Sequence, residues 1–294
     1  MPRIVVTGSL NMDLVVQVAV LPAVGATVMG SNYTAVPGGK GANQACAAAR
    51  LANPETSVHM VGCIGQDAFA QELRKSLVAN NVDIEGVAVV PGFSGVAFIW
   101  VDRKGQNCIV VTPGANARFR AGDAYPQCDV ALFQLEVPLA EVERSLRYAR
   151  AAKALTILDP APAQPLTRET LENVDIFTPN ETEAEAFTGP ARSPIETAQR
   201  LLDLGPRSVV LKLGPAGSLY YDGKDTILTP GLPVTAIDTT AAGDCFNGAF
   251  AVALAERQPL PDALKFANVA AAISVTRPGA QTSLPTREDV DRLL

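Results

Sequence analysis

Short apolar runs alternate with longer amphipathic or Ala-rich stretches along most of the chain. The short runs predict buried strands, which fall at residues 3–8, 58–64, 130–135, 155–158, 175–177 and 208–213. The longer stretches predict helices, which fall at residues 41–51, 67–78, 139–152, 195–204, 243–255 and 261–276. Strands that alternate with helices are typical of a mainly parallel sheet with helices on both faces, so we predict an α/β fold.

Two segments, 11–36 and 92–112, break this alternation. The chain carries no charge from Leu14 to Gly39, but prolines and glycines interrupt this stretch, so its Val-rich pieces predict short strands rather than a membrane span. In the second segment, strands at 96–101 and 108–111 flank an Asp-Arg-Lys-Gly turn. We expect both segments to form one small β-sheet attached to a single domain of residues 1–294.

Composition narrows the possible functions. The chain of 294 residues is 48% apolar and carries a net charge of −6 without any block of Lys or Arg, which argues against disorder and against a nucleic-acid partner. Five cysteines without CxxC spacing favour a reducing, cytoplasmic compartment. His59 is the only histidine and lies in an apolar strand, so we expect a carboxylate to serve as any acid or base.

The strongest local signal is the segment 238–249, in which small residues precede an Ala-rich helix. Such residues leave the first N–H groups of the helix open to an anion, and the helix dipole adds partial positive charge. Asp244 would stand beside that site, where a carboxylate can accept a proton from an attacking hydroxyl. The alternative is that Asp244 only caps a buried helix.

Three glycines surround Lys40 in the segment 37–45 and permit close approach of the backbone to a ligand. The segment is not a Walker A loop, because Gly41 follows the lysine. Lys40 and Asn43 offer donors to hydroxyl groups. The alternative is a turn that leads into a helix and carries a solvated lysine.

Two polar segments follow predicted strands, at the end where ligands bind in α/β sheets. The first, Asn11-Met12-Asp13, pairs an amide with a carboxylate and suits a polyol. The second, 178–183, includes Asn180 and Glu183, which are able to hold Mg²⁺ through water. Taken alone, the two segments are equally compatible with a polar turn and an ordinary helix start.

Six segments resemble motifs of the ribokinase family of sugar kinases, and the resemblance runs almost end to end. They are residues 8–13, 37–45, 134–136, 178–183, 238–249 and 276–281. The resemblance implies a Rossmann-like α/β domain with a small β-sheet lid and a homodimer formed through the lids. It implies ATP-dependent phosphorylation of D-ribose at O5, to give ribose 5-phosphate and ADP, with Mg²⁺ and K⁺ as cofactors.

Matching positions carry the family's functional residues over to this chain. The implied sugar site comprises Asn11, Met12, Asp13, Gly39, Lys40, Gly41, Asn43 and Glu136, with Asp244 as the catalytic base. The implied nucleotide contacts are Asn180, Lys212, Leu213, Gly214, Pro215, Ala216, Gly217, Gly243, Asp244 and Asn268. A potassium site is implied at Asp238, Thr240, Ser274, Arg277, Gly279 and Ser283, largely through backbone carbonyls, and an indirect Mg²⁺ site at Asn180 and Glu183.

Three positions depart from the family pattern. Cys245 stands where Thr is usual, Lys212 where Thr is frequent, and Ala241 where Gly is commoner. The nearest alternative is a relative that acts on a nucleoside, a fructose phosphate or a keto-sugar acid. The uncharged lid segment favours a neutral sugar. A silent sugar-binding protein is a second alternative, although such a protein would be expected to have lost Asp244 or the small residues before it.

Overall fold

The structure is a computed structural model that describes residues 1–294. Its strands are β1 Arg3–Thr7, β2 Asn11–Val18, β3 Gly30–Gly38, β4 Ser57–Ile64, β5 Asp83–Val89, β6 Gly95–Val101, β7 Asn107–Thr112, β8 Val130–Phe133, β9 Leu155–Leu158, β10 Ile176–Phe177, β11 Ser208–Lys212, β12 Ser218–Tyr221 and β13 Thr226–Thr229. Its helices are α1 Lys40–Leu51, α2 Ala68–Ala79, α3 Leu139–Ala151, α4 Arg168–Leu171, α5 Glu181–Thr188, α6 Pro194–Asp203, α7 Ala242–Ala255, α8 Leu260–Ser274 and α9 Arg287–Asp291.

Nine strands form the main sheet, in the order β13-β12-β11-β10-β9-β8-β1-β4-β5. All neighbours pair in parallel except β11 with β12 and β12 with β13. The predicted mainly parallel α/β sheet is therefore confirmed. Strands β5, β12 and β13, which the sequence pattern does not predict, lie at or next to the two edges and are only partly buried.

Strand β1 shows why helices must cover both faces of this sheet. Ile4 and Val6 belong to one hydrophobic core and Val5 to the other, because successive side chains of a strand point to opposite faces. All three side chains are fully buried. Helices α1, α7 and α8 supply most of the first core, whereas α3 and α6 contribute to the second.

The segments that break the strand–helix alternation form one four-stranded sheet, in the order β3-β2-β6-β7. Strands β2 and β6 come from different segments and pair in parallel, so the expected small sheet of two separated pieces is confirmed. The uncharged stretch after Leu14 lies within and between β2 and β3. No helix of the chain combines the length and the apolar character that a membrane crossing requires.

Local signals set several boundaries as the sequence predicts. Asp67 caps α2, and its side chain accepts a hydrogen bond from the Ala70 amide at 2.9 Å. His59 packs in β4, where its Nδ1 lies 3.0 Å from an Asp83 carboxylate oxygen. The strand predicted at 130–135 ends early, at Phe133, and the residues that follow lead toward Glu136 in the site.

Candidate active site

Helix α7 begins without a side-chain cap, contrary to the capping alternative for Asp244. The N-cap position is Ala241, which has a left-handed backbone with φ of 58°. The amides of Gly243 and Asp244 have no hydrogen-bond acceptor within the protein. A helix start in this condition binds an anion through its free N–H groups and its dipole.

The Asp244 carboxylate lies in the first turn of α7 and is only 5% exposed. One oxygen accepts from the Gln44 amide and the other from the Asn43 amide, both at 3.0 Å. Burial raises the pKa of Asp244 to about 6, although Lys40 opposes that shift. A carboxylate with such a pKa is a stronger base than an ordinary aspartate and is still mostly ionised at neutral pH.

Glu136 joins the segment 8–13 to the glycine-rich segment 37–45. Its Oε2 accepts from the Ser9 hydroxyl at 2.5 Å, from the Lys40 amide at 3.1 Å and from Asn11 Nδ2 at 3.5 Å. Its Oε1 accepts no hydrogen bond from the protein. The carboxylate is therefore fixed in place while one oxygen stays available to a hydroxyl group.

Asp13 lies at the root of the small sheet, where β2 pairs with β3. Gly38 allows this placement, because a Cβ there would stand 2.1 Å from Asp13 Oδ2. Burial, followed by the charges of Glu136 and Asp244, raises the pKa of Asp13 to about 7. The neighbouring Met12 points into the hydrophobic core instead.

Lys40 brings an ammonium group from the start of α1 to the carboxylates of Glu136 and Asp244. Gly39 precedes it with φ of 89°, and a Cβ there would lie 2.6 Å from the Asn11 amide nitrogen. Burial lowers the pKa of Lys40, but Asp244 and the other surrounding carboxylates raise it above its ordinary value. The ammonium forms no hydrogen bond with the protein and so keeps its donors for a ligand.

Asn180 and Glu183 form a capping box at the start of α5. Each side chain accepts a hydrogen bond of 2.8 Å from the backbone amide of the other. Burial raises the pKa of Glu183, an effect that nearby Lys212 opposes. Both residues still offer oxygen atoms as ligands. Asn180 pairs with Lys212 at the carboxyl end of β11, and oxygen ligands fit a hydrated Mg²⁺.

The turn 212–217 follows β11 and is built around two glycines with positive φ, Gly214 and Gly217. Gly217 is required here, because a Cβ would stand 2.1 Å from the carbonyl oxygen of Thr229. The Asn268 side chain donates to the same carbonyl at 3.1 Å and is buried. The structure thus brings the predicted nucleotide turn and Asn268 together at the Thr229 carbonyl.

Asp238 ties the loop before α7 to the loop after α8. One of its oxygens accepts from Thr240, and the other accepts from the Gly279 amide at 2.8 Å. Burial raises the pKa of Asp238, but these hydrogen bonds outweigh it, and the pKa falls below its ordinary value. The Arg277 guanidinium turns away toward Asp289, so only oxygen donors remain, which fits a large monovalent cation.

Ser274 and Ser283 complete the predicted cation set, and both are fully buried. Their hydroxyls donate at 2.8 Å to the carbonyl oxygens of Ala271 and Ala280, respectively. The hydroxyl hydrogens are therefore used within the protein, and the oxygens retain lone pairs for further contacts.

A family model described as pfkB family carbohydrate kinase matches residues 1–287. The chain belongs to this family. It is 42% identical to the ribokinase of Bacillus subtilis over 301 residues, which cover 100% of both proteins. A ribokinase structure from Thermotoga maritima aligns with a TM-score of 0.91 at 39% identity over 99% of both chains. An Arabidopsis thaliana ribokinase complexed with ribose and ATP aligns with a TM-score of 0.89 at 32% identity, covering 99% of this chain and 98% of that one.

Sequence reasoning missed several buried polar residues of this candidate site. Gln44 and Gln134 lie inside segments that the resemblance covers, yet neither was assigned a role. Asn116 donates 2.8 Å to Asn11 Oδ1 and also holds the Leu10 backbone. Asp159 directly follows β9, so the rule that sites lie at the carboxyl ends of strands would have found it.

Proposed function

We propose that this chain transfers the γ-phosphoryl group of ATP to O5 of D-ribose, giving ribose 5-phosphate and ADP. The observation that carries the proposal is Asp244, a buried carboxylate in the first turn of a helix whose amides are free. The pfkB family membership and the relatives named ribokinase support the same reaction.

The sugar would lie between the two sheets, among residues that offer both donors and acceptors. Asn11, Asp13 and Glu136 would accept from ribose hydroxyls, while Lys40 and Asn43 would donate to them. Gly39 and Gly41 would contribute only close backbone approach. We assign Met12 a place in the wall of the site through its backbone, since its side chain is buried in the core.

Asp244 would take the proton of the O5 hydroxyl as the oxygen attacks the γ-phosphorus. The bond between O5 and phosphorus forms while the bond to the leaving ADP oxygen breaks, so the proton and the phosphoryl group are both accounted for. The free amides of Gly243 and Asp244 would hydrogen-bond the phosphoryl oxygens, where negative charge develops.

ATP would bind beside the turn 212–217, with its phosphates directed toward the start of α7. Asn180, Lys212 and Asn268 are the side chains that we assign to this nucleotide site. Asn180 and Glu183 would hold Mg²⁺ through water. The ion, when bound, supplies positive charge that offsets the charge of the ATP phosphates.

A potassium ion would occupy the space between the loop 238–240 and the loop 274–283. The oxygens of Asp238, Thr240, Ser274, Gly279 and Ser283, together with the Arg277 carbonyl, would hold it. Asp238 already links the two loops, so an ion there would stiffen the segment that precedes Gly243.

We infer that residues 1–294 form one domain whose four-stranded sheet, at 11–36 and 92–112, acts as a lid over ribose. Phe98 and Ile109 are exposed apolar residues of that sheet, at 39% and 52% exposure. Exposed apolar side chains on a sheet suit burial against a partner, and we propose a second copy of this chain. A cytoplasmic enzyme fits the free cysteines.

A coupled assay of ADP release over a panel of acceptors tests the proposal. The panel comprises ribose, 2-deoxyribose, fructose 6-phosphate, a keto-sugar acid and a nucleoside, each with ATP and Mg²⁺. We expect the highest kcat/KM with ribose and a product that is phosphorylated at O5. A kcat/KM at least tenfold higher for another acceptor would replace ribose as the substrate while leaving the family assignment in place.

A further inference from the structure

Asp159 is a buried carboxylate at the centre of the site that the proposed reaction leaves without a role. It directly follows β9, and its side chain is 3% exposed. Its Oδ1 lies 2.8 Å from the Lys212 ammonium, and its Oδ2 accepts from Gln44 Nε2 at 2.9 Å. Both oxygens of this carboxylate therefore contact protein groups, one charged and one neutral.

Gln44 links Asp159 to the general base. Its Nε2 donates to Asp159 at 2.9 Å and to Asp244 Oδ1 at 3.0 Å, so both amide hydrogens face carboxylates. Its Oε1 accepts from Gln134 at 2.6 Å, which fixes the orientation of the amide. A flipped Gln44 would present its oxygen to two negative charges, and only the observed orientation avoids that repulsion.

Lys212 connects Asp159 to the start of α7. A Cβ placed on Gly243 would lie 3.4 Å from Lys212 Nζ, so the ammonium stands beside the open amides. Asp159 is its only acceptor within the protein, although an ammonium has three hydrogens. Two donors therefore remain for an anion that binds at the helix start.

We propose that Asp159 is a positioning residue for phosphoryl transfer, which holds the Lys212 ammonium beside the anion-binding start of α7 and fixes the Asp244 carboxylate through Gln44. The inference rests on the proposed phosphoryl transfer. One carboxylate thus sets the distance between the group that binds phosphate and the group that accepts the proton.

An Asp159→Asn variant removes the charge at constant shape. An amide offers one acceptor oxygen, so it can serve Lys212 or Gln44 but not both. We expect kcat to fall about tenfold to a hundredfold, as for a misplaced catalytic group, with a ribose KM changed by less than about threefold. An Asp159→Glu variant keeps the charge and moves it by one methylene, so kcat should fall here too.

The pH profile separates this role from a purely structural one. Asp244 is faced by Lys40, by Asp159 across Gln44, and by Asp13 of β2. Losing the negative charge of Asp159 removes a repulsion, so the acid limb of kcat should move to lower pH in Asp159→Asn. It should stay in place in Asp159→Glu. A variant with loosened packing alone would lose rate equally at every pH.

A double-mutant cycle tests the link to Lys212. Lys212→Met alone should lower kcat, and the double variant with Asp159→Asn should lose less than the product of the two single losses. Fully multiplicative losses would overturn the link. A changed Mg²⁺ requirement in Asp159→Asn, with Lys212→Met unaffected, would assign Asp159 to a metal instead and would also overturn it.

Asp175→Asn is the matched control, since Asp175 is a partly buried carboxylate with two arginine partners at the opposite end of the sheet. It should lower the midpoint of thermal unfolding and leave the kinetic constants within about twofold. If Asp159→Asn and Asp159→Glu behave like this control, the proposal fails.

Calorimetry of ATP binding in the absence of sugar tests the role of Asp159 whether or not ribose is the substrate. Lys212→Met should weaken ATP binding about tenfold or more, the usual effect of losing a charge-assisted hydrogen bond, and Asp159→Asn should weaken it in the same direction. If the parent enzyme binds ATP but does not phosphorylate ribose, the proposed function is wrong and this arm still decides the role of Asp159. Unchanged ATP affinity in both variants would overturn the inference.

Discussion

The sharpest prediction concerns Asp244→Asn, which removes the proposed base and preserves its shape. The carboxylate accepts from Asn43 and Gln44 at 3.0 Å each, and an asparagine can keep one of these two hydrogen bonds. Ribose binding should survive, because Asp13 and Glu136 remain. Proton removal from O5 should be lost, because the variant has no carboxylate at this position.

The expected magnitude has two parts. Loss of a general base lowers kcat by a factor of about 10²–10⁴. In the parent enzyme, a pKa of about 6 at Asp244 leaves roughly nine-tenths of the carboxylate ionised at pH 7 and about one-tenth at pH 5. Because the ionised form is the base, kcat should be lost as the pH falls through about 6.

The assay is coupled ADP release at saturating ribose and ATP, in potassium and Mg²⁺, from about pH 5 to about pH 8.5. The γ-phosphate of ATP also gains a proton near pH 6, which would produce a similar limb. The residual rate of Asp244→Asn separates the two causes. A limb due to Asp244 disappears in the variant, whereas a limb due to ATP persists.

Asp262→Asn is the matched control, since Asp262 is an exposed carboxylate in the first turn of the adjacent helix α8. This variant should keep the parent kcat and the parent pH profile. A kcat of Asp244→Asn within tenfold of the parent would refute the assignment of Asp244 as the base. So would an acid limb of the same position and depth in both enzymes.

Four further predictions follow from the geometry. The pKa of about 7 at Asp13, raised mainly by burial, predicts that ribose affinity falls about tenfold from pH 8 to pH 6 in calorimetry without ATP, and that Asp13→Asn removes this dependence. Gly243→Val should abolish turnover because its side chain would fill the space beside the open amides; activity equal to the parent would reject the anion site. Potassium should raise kcat over sodium at equal ionic strength with a smaller change in ribose KM, and Asp238→Ala should remove the difference. Hydrogen exchange at 11–36 and 92–112 should slow when ribose binds, and unchanged exchange in both segments would count against a moving lid.

The parts of the site that the sequence predicts are those that local chemistry determines. The small residues before α7 predict an open helix start, and the glycines around Lys40 predict a close backbone approach. Both features depend on consecutive residues, so the sequence shows them directly. The roles of Gln44 and Asp159 are not local. They are 115 residues apart in sequence and meet only because the start of α1 lies beside the residue that follows β9.

The fold shows the same division. The buried parallel strands are recognisable in the sequence as apolar runs. Strands β5 and β12 lie at or near the sheet edges and are only partly buried, so they contain fewer apolar residues. The sequence does not predict the left-handed conformation of Ala241, because alanine does not favour a φ of 58°.

The start of α7 is poorly explained as a device for stability alone. An alanine in the left-handed region is destabilising by about 1–2 kcal/mol, and a missing side-chain cap by about 1 kcal/mol. Asp244, with a pKa raised to about 6, is a buried charge that the fold opposes at neutral pH. A serine at the N-cap position would supply the missing cap, but its side chain would block the amides. A neutral side chain in place of Asp244 would avoid the buried charge, but it would remove the base. Three unfavourable features at one helix start share a single consequence, which is that open donors and a basic carboxylate face the same cleft. The site is therefore better explained by phosphoryl transfer than by folding.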